Sequence, residues 1–165
     1  MPTPEGILLP LLNSRPVDNG RQHDALADPD EGRRWLRDHG GQGTEAELAH
    51  LRRARDLLDA VVRGNAPAED LAPLLRGVRR VPVLRDGELD WELQVEPDTG
   101  PAVRAVLEWA ELRERAPGRL RPCANPECRL FLIDRSRANR ARWCSMSGCG
   151  NRLKARRHYE RTRGA

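Results

Sequence analysis

Apolar positions in this chain recur first at helical spacing, then at every second residue, then at helical spacing again. Asp28-Pro29-Asp30-Glu31 reads as an N-cap, a proline at the first helical position and acids in the first turn. It predicts a helix carrying Trp35 and Leu36 that stops at Gly40-Gly41. Thr44-Glu45-Ala46-Glu47 is a capping box opening a longer helix. That helix sets Leu48, Leu51, Leu57, Leu58, Val61 and Val62 on one side and ends near Gly64. A short helix is expected between Pro67 and Leu75.

The period then becomes two. Val78–Leu84 and Glu88–Val95 are rich in strand formers, and Asp86-Gly87 between them is a strong hairpin signal. Leu89, Trp91, Leu93 and Val95 alternate with Asp90, Glu92 and Gln94, which predicts one buried face and one wet face. After Pro97–Pro101 a helix resumes with Val103, Val106, Leu107 and Ala110, ending near Arg115, and Pro117-Gly118 forms a hinge. Trp35, Trp91 and Trp109 are expected as core anchors. The pattern predicts an α+β chain, with a mainly helical N-terminal domain over residues 1–118 that holds one β-hairpin, and a separate tail module over 119–165.

Charge divides the chain at the same place. The whole sequence of 165 residues carries 29 Lys+Arg and 25 Asp+Glu, a net +4. Residues 119–165 hold 13 Lys+Arg against 3 Asp+Glu, whereas residues 1–118 hold 16 against 22. An acidic body of −6 therefore precedes a tail of +10, and such a tail calls for a polyanionic partner. Ile7-Leu8-Leu9 meets Pro10 at once, so neither a signal peptide nor a membrane span is expected, and the protein is read as cytoplasmic. In that reducing compartment the four cysteines are not expected to pair as disulfides. In the body, His23, His39 and His50 stand in no ligand or triad spacing, and no glycine-rich phosphate loop occurs. No enzymatic reaction is expected.

The chemistry lies in the tail. Cys123 and Cys128 form one C-x4-C pair and Cys144 and Cys149 another, separated by 15 residues. Two such turns can present four thiolates to one tetrahedral zinc, and a closed four-thiolate shell marks a structural site. The 47-residue tail has few apolar residues, among them Leu120, Leu130, Phe131, Leu132, Ile133, Trp143 and Leu153. Below roughly 70 residues such a segment needs a staple. Arg119–Cys123 and Arg129–Asp134 are expected as short strands, and a helix from near Cys149 to Arg163 completes a treble-clef-like arrangement.

Bound zinc and four thiolates lower the tail from +10 to about +8. Its cations fall in two groups. Arg135, Arg137, Arg140 and Arg142 lie in a loop, while Arg152, Lys154, Arg156, Arg157, Arg161 and Arg163 lie on the helix. At 100° per residue, Cys149 and Leu153 face the metal, and Asn151, Lys154, His158 and Arg161 form the opposite stripe. A polar, acid-free stripe suits a major groove. Asn151 either reads adenine or braces the zinc turn, and both roles stay open. Arg152 and Arg156 lie nearer the core side, placed to brace the finger or reach phosphate. With few aromatic stacking platforms, duplex DNA is favoured over single-stranded RNA.

Trp143-Cys144-Ser145-Met146 and Cys149-Gly150-Asn151-Arg152 resemble the CGNR zinc-finger family, a likeness extending through Gly118-Arg119-Leu120, Phe131, Asp134-Arg135-Ser136 and Lys154. Leu11-Leu12-Asn13-Ser14, Asp24-Ala25-Leu26 and Trp35-Leu36 resemble the N-terminal domain that accompanies this finger in bacterial stress-induced transcription regulators. The resemblance implies a sequence-specific DNA-binding regulator whose N-terminal domain senses a small-molecule ligand or mediates association. A homodimer is compatible with that reading, although no heptad or apolar interface stands out. Two rivals stay open: an adaptor whose finger grips an acidic protein or RNA, and a thiol sensor that releases zinc on oxidation.

Overall fold

The computed structural model of the chain describes residues 6–18 and 20–163, apart from the side chains of Asp18, Arg157 and Arg163. Around the long helix α3 (Glu45–Val62) pack α1 (Leu8–Leu12), α2 (Pro29–Asp38), a 3-10 helix (Ala68–Leu75) and α4 (Gly100–Arg115). Two small antiparallel pairs, β1 (Val17–Asp18) with β2 (Arg21–Gln22) and β3 (Arg79–Arg85) with β4 (Glu88–Gln94), interrupt the helices. A third pair, β5 (Leu120–Pro122) with β6 (Phe131–Ile133), leads into a π turn (Met146–Gly150) and α5 (Asn151–Arg163). The α+β class and the treble-clef-like order of the tail are as the sequence predicts.

Local chemistry sets the helix starts. Asp28 accepts from the amides of Asp30 and Glu31 at 2.9 and 3.0 Å, with Pro29 at the first helical position. Thr44 accepts from Glu47 N at 3.1 Å. The buried Glu47 carboxylate reaches past the capping residue and accepts from the amides of Gln42 and Gly43, both at 2.8 Å. One glutamate thus closes the α2–α3 loop as well as the helix end.

Leu11, Leu26, Leu36, Leu48, Leu51, Leu58 and Val106 form one core, with Trp35 and Trp109 packed against it half-buried. Across its edge, the almost fully buried Arg55 donates to Asp24 Oδ1 at 2.6 Å, to Asp24 Oδ2 at 2.9 Å and to Ser14 Oγ at 2.8 Å. Arg15 adds a contact to Asp24 Oδ2 at 3.1 Å. Burial acts to raise the Asp24 pKa, but the Arg55 pairing and the Leu26 amide outweigh it and bring it down to about 2. This network pins the segment before α2 onto α3.

Helix α1 is not predicted by the hydrophobic pattern. Pro10 falls within its first turn, where an amide needs no intrahelical acceptor. Its exposed amides are capped from α4 instead, as Glu108 accepts from Ile7 N at 3.1 Å and Leu8 N at 2.8 Å. A Cβ on Gly6 would stand 2.5 Å from Glu108 Oε2, so glycine there gives the carboxylate its room.

The β3–β4 hairpin forms in the predicted place, with Asp86 and Gly87 at φ +52° and +84° as its turn requires. Its facing is a correction. Leu84, Leu89 and Trp91 are exposed, Trp91 by 54%. Of the residues that the alternation assigns to a buried face, Leu89 and Trp91 point to solvent while Leu93 and Val95 are half-buried, because the hairpin makes its main contacts within itself. Trp91 is therefore not a core anchor.

Candidate metal centre and basic face

The knuckle after β5 and the turn before α5 bring Cys123, Cys128, Cys144 and Cys149 together, their Sγ atoms all within 4.8 Å of one another. Cys128 and Cys144 Sγ are 3.7 Å apart, and Cys144 and Cys149 Sγ 3.8 Å. A tetrahedron with zinc–sulfur bonds of about 2.3 Å has edges of about 3.8 Å, so the spacing fits zinc. Leu130 N donates to Cys128 Sγ and Cys144 N to Cys123 Sγ, both at 3.4 Å. Asn125, itself buried, donates its side-chain amide to Cys149 Sγ at 3.3 Å. Such donors hold a thiolate's lone pairs in place and offset part of its negative charge.

The thiols' proton affinities reflect that environment. Burial pushes Cys128 up to about 11 and raises Cys144 strongly, helped there by the neighbouring sulfurs. Burial acts to raise Cys149 as well, yet the Asn125 amide and the other thiols bring it below its ordinary value. A divalent cation among four such groups replaces their protons and removes the mutual repulsion, which is why metal binding and folding of such a module are coupled.

The basic loop is built around Asp134. Its carboxylate is almost fully buried and accepts from Ser136 N at 2.8 Å and Ala141 N at 2.7 Å, with Arg121 Nη2 3.6 Å away. Ser136, by side chain and amide, and the Ala141 amide hold this carboxyl below the usual range against its burial. Arg119 Nη1 donates to the carbonyls of Asp134 and Ser136 at 2.8 and 2.7 Å, and Arg121 donates to Asn139. Tied at both ends in this way, the loop turns Arg135, Arg137, Arg140 and Arg142 outward, all four exposed. The Arg142 guanidinium lies 5.7 Å from the Trp143 ring centroid.

On α5, Asn151, Arg152, Lys154, His158 and Arg161 are exposed and Leu153 is half-buried, while the Arg157 side chain lies outside the described residues. Arg156 pairs with Glu127 at 3.1 Å and Glu160 at 3.4 Å, linking the helix to the first zinc turn. The bracing amide at the metal centre is that of Asn125.

Sequence reasoning missed Asn125, Asp134 and Asn13 as organisers. The first two carried a local signal, since an asparagine inside a C-x4-C pair and an aspartate two residues before a serine both form side-chain turns. Asn13 carried none. Its amide brackets the backbone of Phe131, accepting from Phe131 N at 2.7 Å and donating to Phe131 O at 3.2 Å across 118 residues. Phe131 itself is 1% exposed and belongs to the body's core. Arg63 of the body lies over its ring at 4.4 Å and donates to Arg129 O at 2.7 Å.

A helical body welded to a four-cysteine zinc module with an exposed basic loop defines a zinc-finger protein of mixed α and β structure. Residues 119–162 match the family described as CGNR zinc finger. Residues 6–125, most of the chain, match the family described as Putative stress-induced transcription regulator, or ABATE, and the chain belongs to it. The second match runs through Cys123, so the two overlap in the first zinc turn. No curated protein matches the chain in sequence. Among the described residues, no helix is long and apolar enough to cross a membrane.

Proposed function

We propose that this protein is an intracellular transcription regulator that binds duplex DNA through the basic loop and α5. The observation that carries the reading is the outward display of Arg135, Arg137, Arg140 and Arg142 on a loop fixed by Asp134. A loop held this way presents its guanidinium groups with little further ordering cost on docking. Asn151, Lys154, His158 and Arg161 on the solvent side of α5 supply the base-reaching stripe, and the loop arginines and Arg152 supply phosphate contacts. Arg157 is assigned to the same helix surface from its sequence position. Arg156, engaged by Glu127 and Glu160, braces the finger.

Selection of bound sequences from a random duplex pool with the purified zinc-loaded protein tests this reading. Enrichment of a shared motif, lost in a variant with Arg137 and Arg140 replaced by alanine, is the expected result. A pool that stays random across rounds would favour the adaptor reading, in which the same cations grip an acidic protein or RNA.

A further inference from the structure

We infer that the groove between α1, α4 and the finger is a binding site for a small amphipathic carboxylate, with its apolar chain against Leu9, Leu112 and Ile133 and its carboxylate on Arg135. The groove encloses about 590 Å³, within the roughly 300–1,000 Å³ typical of small-molecule sites. Leu9 and Pro10 come from α1, Leu112 from α4 and Ile133 from β6, so its apolar walls belong to both the body and the finger.

The polar groups on its rim decide the ligand's charge. Glu108 is occupied, one oxygen taken by the Ile7 amide and the other by the Leu8 amide. Glu111 is neutralised by Arg115 at 2.6 Å. Arg135 is exposed and makes no hydrogen bond or ion pair with the described residues. A guanidinium without an ion-pair partner among the described residues, beside an apolar trough, suits a molecule with one anionic head and an apolar body. An inorganic anion would leave the trough empty, and a neutral lipid would leave Arg135 without a partner.

Arg135 also belongs to the loop assigned above to phosphate contact. A carboxylate on it withdraws one cation from the duplex, so occupancy weakens DNA binding. This second step rests on the duplex reading, whereas the site itself does not.

The test uses the zinc-loaded full chain and three probes: octanoate, octanamide and acetate. Calorimetry should show saturable binding of octanoate at one site, binding of octanamide weaker by about tenfold or more, and none of acetate. Arg135→Gln should lower octanoate affinity by a similar factor. Leu9→Trp should fill the trough and abolish binding, with zinc content and circular dichroism unchanged. Equal affinity for octanoate and octanamide, no saturable binding, or binding that survives Leu9→Trp would overturn the site. Added octanoate should then weaken duplex binding. If octanoate binds and duplex affinity stays constant, the coupling fails while the site stands. If no duplex binds even without octanoate, the DNA reading fails and the site is untouched.

Discussion

The body and the finger reach order by different physical routes. Residues 6–118 bury a set of leucines and valines around α3, with Leu11, Leu36, Leu51, Leu58 and Val103 fully inaccessible. Such burial contributes roughly 1.5–3 kcal/mol per side chain and needs no metal. Among the described residues of the finger, Phe131 is the one in the common core of buried residues, where it packs among the body's side chains, and Leu120 lies against that core half-buried. The finger's remaining order converges on four sulfurs and on Asp134. The difference explains how a tail so rich in arginine can hold a fixed shape: the metal centre and one buried carboxylate leave its surface free to be cationic.

The largest effect should come from the metal. Structural zinc supplies about 10–16 kcal/mol in isolated finger peptides, so chelation should collapse the amide resonances of residues 120–163 to random-coil shifts. Those of α2 and α3 should remain. Collapse of both sets together would mean that the body has no independent stability.

Phe131 is where the two routes meet, and Phe131→Ala should cost about 3–5 kcal/mol in chemical denaturation. The same variant should bind zinc with lower affinity, because the backbone bracket from Asn13 loses its anchor. Asn13→Ala should produce a smaller change of the same kind, about 1–3 kcal/mol for two unmet backbone groups. Wild-type zinc affinity in both variants would show the finger to be energetically separate.

The body has its own electrostatic signature. Because Asp24 titrates near 2 in the folded chain, its stabilising contribution is complete above the unfolded carboxyl value of about 4. It is lost as pH falls through about 2. Denaturation at stepped pH should therefore show about 2 kcal/mol disappearing across that window. Asp24→Asn should remove the step. A step of the same size in the variant would assign it to another carboxyl group.

The smallest expected effect belongs to the hairpin. With Trp91 54% exposed, Trp91→Ser should change stability by no more than about 0.5 kcal/mol. Trp109→Ala, by contrast, removes a ring packed on the core and should cost several times that. A large loss at Trp91 would reveal a cover over the hairpin face.

What the sequence made legible follows the range of the interactions. Caps at Asp28 and Thr44, the Asp86-Gly87 turn and the paired cysteines act over a few residues, and all lie where their local chemistry places them. The helix α1 was not legible because its cap, Glu108, is a hundred residues away. The Asn13–Phe131 bracket was hidden for the same reason. The hairpin shows a third case, since alternation fixes which residues share a face but not whether anything packs on it. Leu89 and Trp91 share a face as expected, and that face is open at their end of the hairpin.

The measurement that bears most directly on the central claim is duplex affinity as a function of salt, for the wild type and for Lys154→Ala. Binding through the basic loop and α5 predicts a steep linear fall of log affinity with log salt. Removing Lys154 should make that slope shallower by about one unit while zinc content stays the same. Identical slopes for the two proteins, or no salt-dependent duplex binding at all, would contradict it.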